Sequence, residues 1–293
     1  MVNVKEDQAE GLRRILSFSR ARTVAVVAGT RGAGATSCVI NLARALSRQG
    51  RRVLVVDENF SRQNIAESLG MRARFDLKHV IGGECSLEDA LLRGPGDIVV
   101  LPASRAAHAL QCLDTLAEQR AIDCFTELDR TADIVLLDAR NDAHEPSPFA
   151  NAAQEVIVVV SPGPSSITGG YAAVKRMSRT HGRRRFRILV NRTHDSDTAE
   201  LVHRNMAEVA SRHLDVALEF MGAIPHDPEV SAAAARCATA VDAAPFADAA
   251  RRFSEHAGAM LRWSAPQDDV SRLDSFMQRA IYGSRLMAAG AGA

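Results

Sequence analysis

The chain has 293 residues, of which 46% are hydrophobic and 24% are charged, and its formal net charge is +1. This length suits one large α/β domain or two smaller ones, and the near-neutral charge disfavours a protein that coats nucleic acid. The five cysteines show no CxxC pair and no metal-ligand spacing, and no apolar run is long enough to cross a bilayer. We therefore expect a cytoplasmic protein without a structural metal.

The first predicted element is an amphipathic helix within residues 4–19. Ala9, Leu12, Ile15 and Leu16 fall on one face of it. The pattern alone favours an ordinary N-terminal helix. Because the segment precedes the first buried strand, a projecting helix that docks onto a partner stays open as the alternative.

The next stretch, residues 24–36, has the sequence VAVVAGTRGAGAT. Its apolar start predicts a buried parallel strand, and the helical spacing of apolar residues in 37–48 predicts a helix after the turn. This is the pattern of a phosphate-binding P-loop, except that Ala35 occupies the lysine position. The glycines still let backbone N–H groups approach an anion, and Thr36 still offers a hydroxyl to Mg²⁺. The alternative is a glycine-rich turn that binds nothing.

The missing lysine has a predictable cost. A hydrogen bond to a charged group is worth roughly 1.5–3 kcal/mol, so we expect nucleotide binding to be about ten- to a hundredfold weaker.

Two later strands end in an acidic residue. Residues 52–57, RVLVVD, end in Asp57, and residues 131–138, TADIVLLD, end in Asp138. Ligands of open α/β sheets lie at the carboxyl ends of the strands, so both acids are expected to face the phosphate site. Asp138 has the position of the Walker B acid, which holds the water shell of Mg²⁺. For Asp57 the alternative is a cap on the following helix.

The rest of the chain continues the alternation of strands and helices. Further strands are predicted at 97–101, 155–160, 186–190 and 218–224. Further helices are predicted as short pieces within 62–92 and as longer ones at 106–119, 165–177 and 198–213. This order predicts an α/β fold with one doubly wound, mostly parallel sheet covered by helices on both faces.

Two arginine-containing segments could bind an anionic partner at the protein surface. Arg183, Arg184, Arg185 and Arg187 form a basic cluster, which suggests either a nucleic-acid patch or a solvated loop. No aromatic side chains are interleaved to stack bases, so the solvated loop is favoured.

The second such segment is the tail. It predicts a linker followed by an amphipathic helix over 270–287, with arginines beside its apolar face. Leu273, Phe276, Met277 and Ile281 would contact an anionic membrane. Packing of the same face against the domain or a partner is an equal alternative.

With these motifs in place, the chain resembles the MinD/ParA group of P-loop ATPases over about residues 7–262. Within that group it resembles the FlhG (FleN) family of regulators of flagellar number and placement. The most specific piece is similar to that family's DQAxxLR motif and consists of Asp7, Gln8, Ala9, Leu12 and Arg13. In that family the motif engages the signal-recognition-type GTPase FlhF and its glutamine enters the GTPase site, so the resemblance implies this role for Gln8. The implied division is an interaction helix at 1–20, a P-loop domain at 21–263, and a linker with an amphipathic helix at 264–293.

The group's Walker A sequence, GKGGVGKT, falls on residues 29–36. Both of its lysine positions differ, as Thr30 and Ala35, and its second glycine is Arg31, which offers a substitute cation. The switch segment DAD falls on residues 57–59, so its second acid, which helps position the attacking water, is the amide Asn59.

The resemblance also implies which residues form the nucleotide site. The phosphates and the base would contact Gly29, Arg31, Gly32, Ala33, Gly34, Ala35, Thr36, Ser37, Asn191 and Pro225. Mg²⁺ would lie near Thr36, Asp57 and Asp138, and hydrolysis would depend on Asp57, Asn59 and Asp138.

These features predict an FlhG-like regulator that acts through protein contacts, including stimulation of an FlhF-type GTPase, with weak or lost ATP hydrolysis. The implied cofactor is ATP or ADP with Mg²⁺, its binding weakened or lost. Further implied partners are flagellar C-ring components or a flagellar transcription regulator, a second copy of the chain, and the anionic inner face of the cell membrane. The alternative is a working MinD/ParA-type ATPase switch for cell-division or DNA positioning, although the near-neutral charge disfavours DNA.

Overall fold

The computed structural model describes residues 21–59, 64–140, 147–263 and 272–290. The predicted interaction helix, with Asp7, Gln8, Leu12 and Arg13, lies outside the described residues, and so does the predicted linker.

The described residues form eight strands and thirteen α-helices. The strands are β1 (Arg22–Ala28), β2 (Val53–Asp57), β3 (Leu92–Arg93), β4 (Val99–Pro102), β5 (Ile134–Ala139), β6 (Glu155–Val160), β7 (Arg185–Thr193) and β8 (Ala217–Pro225). The helices are α1 (Ala35–Arg48), α2 (Ile65–Ser68), α3 (Leu77–Gly82), α4 (Leu87–Ala90), α5 (Ser104–Ala109), α6 (Thr115–Asp129), α7 (Pro148–Ala152), α8 (Pro164–His181), α9 (Ser196–His213), α10 (Pro228–Ala235), α11 (Ala240–Ala243), α12 (Asp248–Leu261) and α13 (Leu273–Gly290).

The strands lie in one sheet in the order β3-β4-β2-β5-β1-β6-β7-β8. Neighbouring strands are parallel except β3 and β4, a short antiparallel pair at the edge that the sequence pattern did not predict. Asp57 and Asp138 are register partners on β2 and β5, and β5 pairs with β1. Both acids therefore end beside the turn that follows β1, and the predicted doubly wound fold is confirmed.

Helices cover both faces of the sheet because side chains alternate along each strand. Val24 and Val26 of β1 face the layer that contains α1 and α12. Ala25 and Val27 face the opposite layer, which contains α6, α7, α8, α9 and α13.

The prediction of one continuous helix over 106–119 is wrong. α5 ends at Ala109, a 3₁₀ turn spans Leu110–Cys112, and α6 starts afresh at Thr115. The side chain of Asp114 accepts a hydrogen bond from the N–H of Ala117 at 2.8 Å, so this residue caps a new helix. The N-cap residue Asp114 thus marks the start of a second helix, although the spacing of the apolar residues is nearly continuous across this point.

Of the two equal alternatives for α13, the structure shows packing of the apolar face against the domain and contradicts its contact with lipid. Leu273, Phe276, Met277 and Ile281 are each at most 1% exposed. The Phe276 ring lies 5.6 Å from that of Phe125 on α6, so this face completes the core. Among the described residues, no helix is both long and apolar enough to span a membrane.

The arginine cluster is largely occupied by protein contacts. Arg183 is half-buried and donates hydrogen bonds to backbone carbonyls, including that of Gln154 at 3.1 Å. Arg185 and Arg187 both pair with Glu219, at 2.6 and 2.5 Å. Arg184 and Arg185 keep 61% and 72% of their side-chain surface exposed, so the favoured solvated loop is confirmed for this part of the cluster, while the pairing with Glu219 leaves no open basic patch.

Candidate functional site

The turn after β1 is held in a compact conformation that needs glycine. Gly32 and Gly34 have φ angles of +86° and +92°, which side chains rarely adopt. The N–H of Gly29 donates to the carbonyl of Val159 at 2.7 Å, and that of Ala33 donates to Thr30 at 3.1 Å. The turn is thus tied to β6 at its start and folded back on itself at its tip.

The helix that follows this turn begins without a side-chain cap. Gly34 is the N-cap residue, the first turn of α1 contains no acidic residue, and no described side chain caps it. The first N–H groups of a helix lack intrahelical acceptors, and here they point out of the carboxyl edge of the sheet. Such an end is suited to binding an anion.

A polar chain links α1 to the two strand ends. The Thr36 hydroxyl donates to Oδ2 of Asp138 at 2.7 Å, and the side-chain amide of Asn59 donates to Thr36 Oγ1 at 3.2 Å. The structure therefore brings together three of the residues predicted to serve Mg²⁺ or hydrolysis.

Asp57 has a different set of partners. Its Oδ1 accepts from the N–H of Asn59 at 3.0 Å, and its Oδ2 accepts from the N–H of Ile65 at 2.8 Å. Its carboxylate thus accepts a hydrogen bond from the first residue of α2, in line with the alternative prediction. Its roles in metal binding and hydrolysis stay predictions.

Three buried carboxyl groups meet at this edge. Burial raises the pKa of Asp138 and of Asp57. The charge of Asp57 raises the pKa of Asp138 further, and the charge of Asp76 raises that of Asp57. Burial also raises the pKa of Glu58 to about 7, although its Oε1 accepts a hydrogen bond from the hydroxyl of Ser147 at 2.7 Å. The sequence pattern did not single out Glu58, because a residue next to a strand end gives no sign of which way it turns.

Asn191, which was predicted to lie on the base side, contacts the phosphate turn. Its amide donates to the carbonyl of Ala33 at 2.8 Å, and it lies so close to Gly34 that an added Cβ there would stand 2.3 Å from Nδ2. The next residue, Arg192, donates to the carbonyl of Gly32 at 2.9 Å. Pro225 lies on the neighbouring strand, in register with Thr193.

The backbone of α8 also approaches the turn. A Cβ added at Gly169 would stand 2.0 Å from the carbonyl oxygen of Gly29, and one added at Gly29 would stand 2.5 Å from the carbonyl oxygen of Ser166. Only glycine permits this approach, so the Gly169-Gly170 pair in the sequence was the available signal.

The remaining predicted contacts are more peripheral. Arg31 is exposed at the tip of the turn, and Ser37 is half-buried in the first turn of α1. Ala35, at the lysine position, is buried with 6% of its surface exposed.

The site fits a magnesium nucleotide in part. The uncapped N–H groups suit phosphate oxygens, and the linked Thr36 hydroxyl and Asp138 carboxylate are oxygen ligands of the kind that Mg²⁺ prefers. The two lysine positions do not contribute, because Thr30 and Ala35 carry no charge.

A glycine turn between the central strand and an uncapped helix, with an acid at the end of the neighbouring strand, defines a P-loop nucleotide-binding protein. Residues 24–240 match the family model described as the CobQ/CobB/MinD/ParA nucleotide binding domain. The chain is 32% identical over 271 residues to the antiactivator FleN of Pseudomonas aeruginosa. This match covers 92% of this chain and 97% of FleN. The chain therefore belongs to the MinD/ParA family and, within it, to the FleN/FlhG flagellar regulators.

Solved structures support the same fold. The MinD cell division protein of Aquifex aeolicus has a TM-score of 0.63 at 22% identity and covers 85% of this chain and 100% of its own. The MinD septum site-determining protein of Pyrococcus horikoshii, complexed with Mg-ADP, has a TM-score of 0.62 at 22% identity. This match covers 83% of this chain and 96% of the MinD chain.

Proposed function

We propose that this protein regulates flagellar number and placement through protein contacts and hydrolyses ATP weakly or not at all. The observation that carries the proposal is near full-length similarity to FleN in a chain whose phosphate turn has Thr30 and Ala35 at the lysine positions. FleN is named an antiactivator, so a flagellar transcription regulator is one proposed partner and C-ring components are another. The site of action is the cytoplasm, including the inner face of the cell membrane.

The chemistry of the site supports weak hydrolysis. When bound, Mg²⁺ would neutralise phosphate charge, and Thr36 and Asp138 would hold it. The Asn59 amide donates a hydrogen bond to Thr36 Oγ1 at 3.2 Å. An amide cannot take up a proton as a carboxylate does, so Asn59 orients its neighbour without activating a water molecule.

The proposed partner contact uses the N-terminal motif and an FlhF-type GTPase. The test measures stimulation of that GTPase by the full chain and by Q8A, with Q119A, at an exposed glutamine on α6, as the matched control. Q8A should abolish the stimulation and Q119A should keep it. Full stimulation by Q8A would remove the GTPase from the proposal.

The proposed loss of hydrolysis has a separate test. Restoring T30K, A35K and N59D together should raise ATP turnover well above that of the native chain, with circular dichroism as the control for folding. A restored protein that folds normally and stays inert would show that these positions do not explain the loss.

The second candidate is a working MinD/ParA-type switch for cell-division or DNA positioning, and the structural likeness to two MinD proteins favours it. It predicts ATP-dependent dimerisation and steady turnover by the native chain. Light scattering with Mg-ATP and Mg-ADP distinguishes the two candidates. The switch should form a dimer with Mg-ATP and not with Mg-ADP, whereas the regulator with lost hydrolysis does not require this difference.

A further inference from the structure

Arg192 lies in an irregular position at the end of β7. Asn191 and Thr193 pair with Ile224 and Pro225, which are consecutive on β8, so Arg192 is the extra residue of a bulge. Its φ angle is +58°, which is uncommon for a residue other than glycine. Bulges re-aim side chains and are frequent next to active sites.

The bulge directs the Arg192 side chain onto the phosphate turn. Nη1 donates to the carbonyl of Gly32 at 2.9 Å, and Nε lies 3.9 Å from the position of a Cβ added at Gly34. Burial raises the pKa of Cys38, in the first turn of α1, to about 12, and the charge of Arg192 opposes that increase. The guanidinium is therefore within electrostatic reach of the helix end that would receive an anion.

We propose that Arg192 is the cation that binds the phosphate groups of a nucleoside di- or triphosphate in place of the two lost lysines. This inference rests on the proposed nucleotide site. Among the described residues, Gly32 uses one of the five N–H donors of Arg192, and the planar fork of a guanidinium suits phosphate oxygens. The side chain reaches over the turn from a different strand, so it approaches a phosphate on the turn from outside the P-loop itself.

The geometry favours Arg192 over Arg31, the substitute cation that the sequence suggested. Both side chains are exposed. Of the two, Arg192 is held at the turn by its own hydrogen bond and by Asn191, whose amide binds the adjoining carbonyl of Ala33. A side chain that is already held in place loses less conformational entropy on binding.

The test is isothermal titration calorimetry on the full chain with three probes: Mg-ADP, magnesium tripolyphosphate, which lacks a base, and adenosine, which lacks phosphate. The variants are R192Q and R192K, with R31Q for the competing arginine and R204Q, at an exposed arginine on α9, as the matched control. R192Q should weaken Mg-ADP and tripolyphosphate about ten- to a hundredfold, as expected for the loss of a charged hydrogen bond, and should leave adenosine unchanged. R192K should be intermediate, because an ammonium keeps the charge and loses the fork. R31Q should weaken the phosphate probes less than R192Q does, and R204Q should match the native chain.

Three results would overturn the inference. Equal losses for adenosine and Mg-ADP would place Arg192 on the base side or make it a brace of the turn. A larger loss in R31Q would assign the cation to Arg31. Absence of binding by the native chain to both phosphate probes would mean that this turn holds no phosphate, while the regulator proposal would stand, since GTPase stimulation is measured separately. If R192Q does not fold, R192K and R31Q carry the test. A folded R192K that binds tripolyphosphate as tightly as the native chain, while R31Q binds it more weakly, would also overturn the inference.

Discussion

Replacing Gly169 with alanine tests whether α8 fixes the phosphate turn. The added Cβ would stand 2.0 Å from the carbonyl oxygen of Gly29 and 2.9 Å from Cγ2 of Thr30. The first contact is with backbone, which cannot rotate away as a flexible side chain can. Either α8 or the turn must therefore move.

The structure allows an estimate of the cost. Overpacking costs about 1–3 kcal/mol, and the better helix propensity of alanine offsets roughly 0.5–1 kcal/mol of that. Because the obstructing atom belongs to the backbone, we expect a net loss of about 2 kcal/mol, which lowers the melting temperature of a chain of this size by about 4–8 °C. Gly283, inside α13, has nothing within 4 Å of an added Cβ. G283A should therefore stabilise the protein by roughly 0.5–1 kcal/mol.

The assay is urea unfolding followed by far-UV circular dichroism for the native chain, G169A and G283A. The two substitutions remove the same glycine entropy and differ in what the new methyl group meets. Opposite shifts of the midpoint, with equal slopes, are expected. Equal upward shifts would refute the close approach of α8 to the turn.

Three further predictions concern the surroundings of the site. Burial raises the pKa of Glu58 from 4.5 to about 7, so between these values the folded state keeps a proton that the unfolded state has lost. Glu58 should therefore contribute a fall in stability of about 3 kcal/mol as the pH rises through this window. E58Q should remove this contribution and leave the fall due to Asp57 and Asp138; parallel pH–stability curves would contradict it. Asn41 accepts a hydrogen bond from the N–H of Ala240 at 2.8 Å, so N41A should cost about 1–3 kcal/mol, whereas an unchanged melting temperature would exclude this role. Phe276 is 1% exposed, so F276A should cost about 3–5 kcal/mol and speed proteolysis of α13, and native-like resistance would argue against a docked helix.

Local patterns were sufficient for the turn and for every strand of the sheet except the two-residue edge strand β3. The apolar runs of β1, β2, β5 and β6 need only their own residues to be recognised, and the glycines of the turn mark its conformation directly. The two acids follow because parallel strands end at the same edge. The spacing of a single stretch determines each of these features.

The contacts around the turn depend on residues far apart in the chain. Arg192 and Gly32 are separated by 160 residues, and Asn191 and Ala33 by 158. The sequence identifies Asn191 as the end of a strand but gives no sign of the bulge that follows it. The same limit applies to α13, whose apolar face is equally suited to lipid or to protein until Phe125 is seen beside Phe276.

The carboxyl groups whose pKa values burial raises lie at the same edge as the turn that has lost its lysine. Asp57, Glu58 and Asp138 are buried at the same strand ends, and no lysine in the turn offsets their charges. A protonated Asp138 is a poor ligand for Mg²⁺, so the site loses a metal ligand as the pH falls below the raised pKa of this group. A nearby cation favours the charged form of a carboxyl group, so A35K is expected to lower the pKa of Asp138 as well as to contact phosphate.

The gain in Mg-ADP affinity from A35K should therefore be larger at mildly acidic pH than at alkaline pH. Below the raised pKa, a nearby lysine should make Asp138 ionised more often in the variant than in the native chain. Under alkaline conditions both are ionised and only the phosphate contact differs. Calorimetric titrations across this range, with T30K as a control that adds the same charge at the other lysine position, measure the difference. A gain of the same size at every pH would mean that the lysine acts on phosphate alone and does not change the ionisation of Asp138.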